Sequence, residues 1–237
     1  MVVMTSIAVA DGTSLPGYVA RPAVAGAPTG VIVAHELFGV NPDIRGVADD
    51  LAGAGYLTIA PEFYHRHAPP GRWLERDDAG REEGFGYLHR LGREQALADV
   101  SAALGWLRSQ PGISRVAMVG FSAGGHLAYL AACRLAVART AVLYGGWLTG
   151  TEIPLSRPEP TLSLSSGITG RLLYLVGGDD MLISASERSS IGTALSGVGE
   201  VVSYPGVQHA FFWPGTPAFS QAARDDAWRR ILELLAS

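Results

Sequence analysis

The chain has 237 residues, 48% of them apolar, and a net charge of −4. That size suits one domain over 1–237 with a single large core, and the charge leaves no basic face for nucleic acid. All 18 basic residues are arginine, which excludes chemistry that needs lysine, such as Schiff-base formation or a P-loop phosphate site.

No apolar run approaches the ~18 residues of a membrane span. Met1-Val2-Val3-Met4-Thr5 lacks a basic segment leading into a long apolar stretch, so no secretory signal is expected. Cys133 is the single cysteine, which rules out an intrachain disulfide and fits a reducing cytoplasm. Its mid-helix setting, Ala131-Ala132-Cys133, marks it as a small core residue.

In chain order, short apolar strands alternate with amphipathic helices. Strands are predicted at 6–9 and 17–20, joined by an Asp11-Gly12 hairpin turn, then at 30–34, 57–60, 115–119, 140–144, 172–176 and 201–204. Most are continuous apolar runs, as expected of strands buried on both faces. Helices are predicted at 43–54, 93–109, 123–135, 184–196 and 217–235. The alternation implies an α/β fold with a mostly parallel central sheet covered by helices on both faces. Two stretches break the rhythm, 62–93, dense in charge and aromatics, and 147–170, rich in Pro, Ser, Thr and Gly. Both read as excursions above the sheet.

Gly120-Phe121-Ser122-Ala123-Gly124 joins the strand at 115–119 to the helix at 123–135. Flanking glycines permit a turn sharp enough to lift a serine hydroxyl above the sheet, and the helix behind it points free amides at any oxyanion formed there. A serine hydroxyl needs a base, and the base needs an orienting acid; in folds with this elbow they follow in the order serine, acid, histidine. Of the six histidines, only His126 and His209 follow Ser122, and His126 lies inside the elbow helix. His209, just past the last strand, is therefore the expected base. The acid is expected after the strand at 172–176, where Asp179 and Asp180 are adjacent. The second oxyanion amide is expected from the loop after the strand at 30–34, which pairs Leu37 with Ala123. His65 and His67 have metal-like spacing but no supporting cluster, so they read as loop residues and no metal is expected.

These residues resemble the dienelactone hydrolase family of α/β-hydrolases along nearly the whole chain. The resemblance is carried by His35-Glu36-Leu37-Phe38-Gly39-Val40-Asn41, by Gly55-Tyr56-Leu57 leading to Ala60-Pro61-Glu62-Phe63-Tyr64, by 120–125, by Gly177-Gly178-Asp179-Asp180 and by Gly206-Val207-Gln208-His209-Ala210-Phe211. It implies the α/β-hydrolase fold and a carboxylic ester hydrolase of the carboxymethylenebutenolidase type. It selects Asp180 as the acid, matches Glu36 to a glutamate near the nucleophile, Arg81 to an arginine that binds the substrate carboxylate, and Tyr144 to an active-site tyrosine. Phe85 and Trp213 join these as substrate-binding or accessory residues.

There are two departures. The well-known members use cysteine where this chain has Ser122, and an arginine expected shortly after the histidine is replaced by Phe211-Phe212-Trp213-Pro214. The first shifts the role of base from Glu36 to His209, because a hydroxyl is too weak an acid to lose its proton to a carboxylate. The second favours an ester or lactone with a bulkier apolar part. The expectation is a monomeric cytoplasmic serine hydrolase of a small ester or lactone, needing no cofactor and touching neither membrane nor nucleic acid. The alternatives are a short-peptide or acyl-amino hydrolase and a non-catalytic binding protein on the same scaffold.

Overall fold

The computed structural model describes residues 2–24 and 26–237. Among the described residues, eight strands form one sheet: β1 (Val2–Ala8), β2 (Ser14–Ala20), β3 (Thr29–Ala34), β4 (Leu57–Pro61), β5 (Arg115–Phe121), β6 (Arg139–Leu143), β7 (Arg171–Gly177) and β8 (Gly199–Tyr204). Their spatial order is β1-β2-β4-β3-β5-β6-β7-β8. β1 runs antiparallel to β2 and β2 antiparallel to β4, while every later pairing is parallel. β3 and β4 are buried along their full length, which is why they read in the sequence as unbroken apolar runs. No helix of the described residues is long and apolar enough to cross a membrane.

The helices are α1 (Pro42–Gly53), α2 (Asp78–Leu88), α3 (Arg93–Arg108), α4 (Ala123–Arg134), α5 (Ala185–Ala194) and α6 (Gln221–Ala236). α1 starts where Asn41 Oδ1 accepts from the Ile44 amide at 3.0 Å and Pro42 supplies a preset backbone angle. It buries Ile44, Val47, Ala48 and Leu51 on one side.

Two sequence expectations are corrected. The stretch 62–93 contains a helix, α2, capped by Asp77, whose Oδ1 accepts from the Gly80 amide at 2.7 Å. Its buried face holds Gly80 and Gly84 as well as Tyr87 and Leu88, so close backbone approach replaces the usual apolar stripe. A Cβ on Gly84 would lie 2.8 Å from the Leu37 carbonyl oxygen, so this glycine lets α2 press directly on the loop after β3. The last helix starts at Gln221 rather than 217, because Ser220 is its cap. The stretch 147–170 holds two short 3₁₀ segments, Pro154–Ser156 and Thr161–Gly167.

Two fully buried histidines stitch the loops to this frame. His35 Nε2 accepts from the Phe63 amide (3.2 Å), so Nδ1 carries the proton and donates to the Glu36 carbonyl (2.7 Å). His126 Nδ1 donates to the Gly146 carbonyl (2.7 Å), leaving Nε2 to accept from the Thr161 hydroxyl (2.8 Å). Both rings are thus held neutral, and burial lowers each pKa to about 4. A folded-state pKa below the ordinary value of about 6.5 means that the unfolded chain binds protons first on acidification. Stability should therefore be fully present near pH 7 and fall between about pH 6.5 and pH 4. Each histidine should contribute a loss of roughly 2 kcal/mol between pH 7 and pH 5. Urea unfolding at those two pH values should show a smaller difference for His126→Asn than for the parent, and an equal difference would refute this origin.

Candidate active site

β5 ends with Phe121 at the carboxyl end of the sheet, and α4 begins at Ala123, leaving Ser122 alone at the apex. Its backbone has φ 51° and ψ −113°, outside the basins open to ordinary residues, a conformation that costs about 1–3 kcal/mol. The glycines make it possible. A Cβ on Gly120 would lie 2.1 Å from the Gly124 carbonyl oxygen, and one on Gly124 would lie 2.4 Å from the carbonyl oxygens of both Ala34 and His35. The elbow is therefore pressed onto the start of the loop that carries Glu36 and Leu37. The Ser122 amide donates to the Leu143 carbonyl at 2.9 Å, tying the apex to β6 as well.

Ser122 Oγ lies 3.0 Å from His209 Nε2, and His209 Nδ1 lies 2.7 Å from Asp180 Oδ2. Because the carboxylate can only accept, Nδ1 carries the proton and Nε2 offers its lone pair to the serine hydroxyl. Asp180 Oδ1 is itself held by the amides of Leu182 (2.8 Å) and Ile183 (3.2 Å). Asp179 faces solvent and contributes only its amide, which donates to the Val207 carbonyl at 3.0 Å. Of the two adjacent carboxylates, Asp180, the one that the family resemblance selects, is the one brought to the histidine.

Leu37 and Ala123 line the same cleft as Ser122 and His209, a hollow of about 520 Å³. Ala123 is the first residue of α4, where amides have no intrahelical acceptor. The walls include Phe38, Phe85, Trp147 and Leu182 and are predominantly apolar.

Glu36 is almost fully buried, with 3% exposure. Its Oε1 accepts from Arg76 Nε at 2.9 Å and lies 2.7 Å from Nη2 of the same guanidinium, while Oε2 accepts from the Trp213 indole N–H at 2.8 Å. Burial pushes the Glu36 pKa up and the Arg76 charge opposes it. Arg76 also pairs with Asp43 and sits over the rings of Trp213 (5.1 Å) and Phe38 (5.8 Å). Sequence reasoning did not single out Arg76. The available signal was physical, since a buried carboxylate demands a cation and the stretch 62–93 is where arginines concentrate.

Trp213 and Tyr144 do not line the cleft; both are buried behind it. Trp213 acts on Glu36, and the Tyr144 ring meets the His209 ring edge-on at 5.0 Å. Tyr144 has φ 41°, and its hydroxyl is buried without a hydrogen-bond partner among the described residues. Arg81 does line the cleft, at the rim, with 58% side-chain exposure and an ion pair to Asp78 at 3.2 Å.

The remaining candidates have structural partners. His65 Nε2 meets Asp99 Oδ2 at 3.2 Å, and His67 Nε2 donates to the Arg90 carbonyl at 3.0 Å. Among the described residues no group of three or more His, Cys, Asp or Glu could hold a metal ion. Cys133 is buried, which pushes its thiol pKa up to about 12.

The sequence pattern of the dienelactone hydrolase family matches residues 15–237. A Synechocystis protein provisionally designated a carboxymethylenebutenolidase is 32% identical over 93% of this chain and 90% of its own length. Carboxymethylenebutenolidase 1 of Cupriavidus pinatubonensis is 31% identical over 95% of this chain and 93% of its own. A Klebsiella pneumoniae protein provisionally designated a dienelactone hydrolase has a crystal structure that superposes with a TM-score of 0.85. It shares 28% identity and covers 100% of this chain and 99% of that one. The eight-stranded frame, the elbow and these relatives together establish that the chain belongs to the dienelactone hydrolase family and is a hydrolase of the carboxylesterase type with the α/β-hydrolase fold.

Proposed function

We propose that the protein is a serine hydrolase of small carboxylic esters or lactones, working through an acyl-enzyme. The observation that carries this reading is the unbroken chain from Ser122 Oγ to His209 (3.0 Å) and from His209 to Asp180 (2.7 Å) at the floor of an apolar cleft. Ser122 Oγ attacks the carbonyl carbon as its proton passes to His209 Nε2. The resulting imidazolium is stabilised by the Asp180 carboxylate on its other nitrogen. The carbonyl oxygen gains a full negative charge and is received by the amides of Leu37 and Ala123, each worth about 2.7–4 kcal/mol in such a position. Collapse of the tetrahedral adduct breaks the bond to the alcohol oxygen, which takes its proton from His209. Water, deprotonated by the same imidazole, then attacks the acyl carbon, releases the acid and returns Ser122.

Glu36 is not the base in this scheme. Both its oxygens are engaged, one by Arg76 and one by Trp213. The nearby His209 works with Arg76 against the burial that pushes the Glu36 pKa up. Tyr144 supports the imidazole from behind, and Phe85 is a wall of the cleft. Arg81, at the rim, meets only groups that project from the cleft, and its charge is solvent-screened.

Ser122→Ala should retain its fold and lose ester turnover by roughly 10⁴–10⁶-fold, together with labelling by a fluorophosphonate. Asp180→Asn should lose about 10⁴-fold with the structure intact, because the amide favours the wrong imidazole tautomer. Undiminished turnover in either variant contradicts the mechanism. For Arg81→Ala the expected effect is selective, a drop of no more than about fivefold in kcat/KM on esters bearing a free carboxylate, as suits a screened surface charge. Equal losses on neutral and anionic esters of matched length would remove that role.

A further inference from the structure

Beyond Tyr144, the chain leaves β6 through four residues, each with a backbone group held by a side chain from a different element. The Tyr174 hydroxyl, on β7, donates to the Gly145 carbonyl at 2.7 Å. His126 Nδ1, on α4, donates to the Gly146 carbonyl at 2.7 Å. Ser156 Oγ, in the first 3₁₀ segment, donates to the Trp147 carbonyl at 2.9 Å. The Leu148 amide donates to Glu187 Oε1, on α5, at 2.8 Å. Three of the four holding residues, Tyr174, His126 and Ser156, are fully buried, so water does not compete for these bonds.

Within this clamp Trp147 adopts φ 58°, a left-handed conformation that a residue of this size avoids. The strain persists only because the surroundings over-determine the backbone. The outcome of the strain is the position of the indole. It lines the cleft and meets the Phe85 ring edge-on, with centroids 6.5 Å apart. Phe85 comes from the opposite direction, on α2, whose own placement depends on Gly84 lying against Leu37.

We propose that Trp147 is a specificity-determining residue. With Phe85 it forms a rigid aromatic wall that admits esters with a compact apolar group and turns away long ones. Glu187 is a positioning residue for that wall, acting through the Leu148 amide. This inference rests on the reading of Ser122 as the nucleophile of an ester hydrolase. The wall limits substrate size because the pinned backbone cannot yield, and a misfit of even one or two methylenes is costly in a site that does not relax.

The test uses two panels of kcat/KM values. One grades the acyl group from acetyl to hexanoyl on a fixed p-nitrophenolate leaving group; the other grades the alcohol from ethyl to hexyl on a fixed acetyl group. Trp147→Ala should raise the long-to-short ratio by about tenfold or more in at least one panel, whereas Trp147→Phe should move it much less. Glu187→Ala should shift the same panel in the same direction. Glu187→Gln, which keeps a carbonyl to accept from Leu148, should restore the parental ratio. If Trp147→Ala does not fold, Trp147→Leu takes its place in the same panels. Ratios within about twofold of the parent in both panels for a folded Trp147 variant overturn the proposal. Ester turnover that survives Ser122→Ala overturns the reading beneath it, and the two failures are distinguishable.

Discussion

The site depends on one close approach. The first turn of α4 lies against the carbonyls of Ala34 and His35 with no side chain between them, since Gly124 leaves no atom that could intervene. This contact sets the elbow beside the loop that carries Glu36 and Leu37, and it brings Leu37 and Ala123, distant in the chain, to one cleft. Nothing softer would serve. Under the proposed mechanism an oxyanion would be received here, and such a charge is received well only by donors fixed in advance. The strained Ser122 backbone is the local cost of the arrangement, and the sheet pairings of β3, β5 and β6 hold it in place.

Charge is handled with the same economy. A carboxylate as deeply buried as Glu36 would be expelled or protonated if left alone. Here one oxygen faces a guanidinium and the other an indole N–H. Arg76 lies over the rings of Phe38 and Trp213 and shares its charge with Asp43. The segment Phe211-Phe212-Trp213-Pro214 stands where the family resemblance led one to expect an arginine, and the cation that meets Glu36 is Arg76, from the stretch before α2. The guanidinium of Arg76, which also lines the cleft, is thereby largely occupied by carboxylates of the chain itself.

How much of this could be read from the residues depended on whether the signal was local. The strands were legible because burial on both faces writes itself as a continuous apolar run, as at 30–34 and 172–176. Ser122 and His209 were legible because chain order and glycine spacing constrain where such residues can sit. Spacing alone left Asp179 and Asp180 open and only the family resemblance picked Asp180, because neighbouring carboxylates differ only in direction, and that direction is set by the amides of Leu182 and Ile183. α2 was hidden because its packing face uses glycines, which leave no hydrophobic period. Arg76 and Trp147 were hidden for a deeper reason. One is defined by a partner forty residues away, the other by a backbone angle imposed from four directions at once.

The loops bearing Asp180 and His209 touch through their main chains, since a Cβ on Gly177 would lie 2.2 Å from the Val207 carbonyl oxygen and the Asp179 amide bonds to that same oxygen. Acid and imidazole are consequently one mechanical unit, seated at the ends of β7 and the edge strand β8. Any shift of that border carries both together and leaves their mutual alignment intact. The gap between imidazole and hydroxyl, 3.0 Å, is by contrast spanned between separate elements, so under the proposed mechanism it is the more sensitive of the two distances.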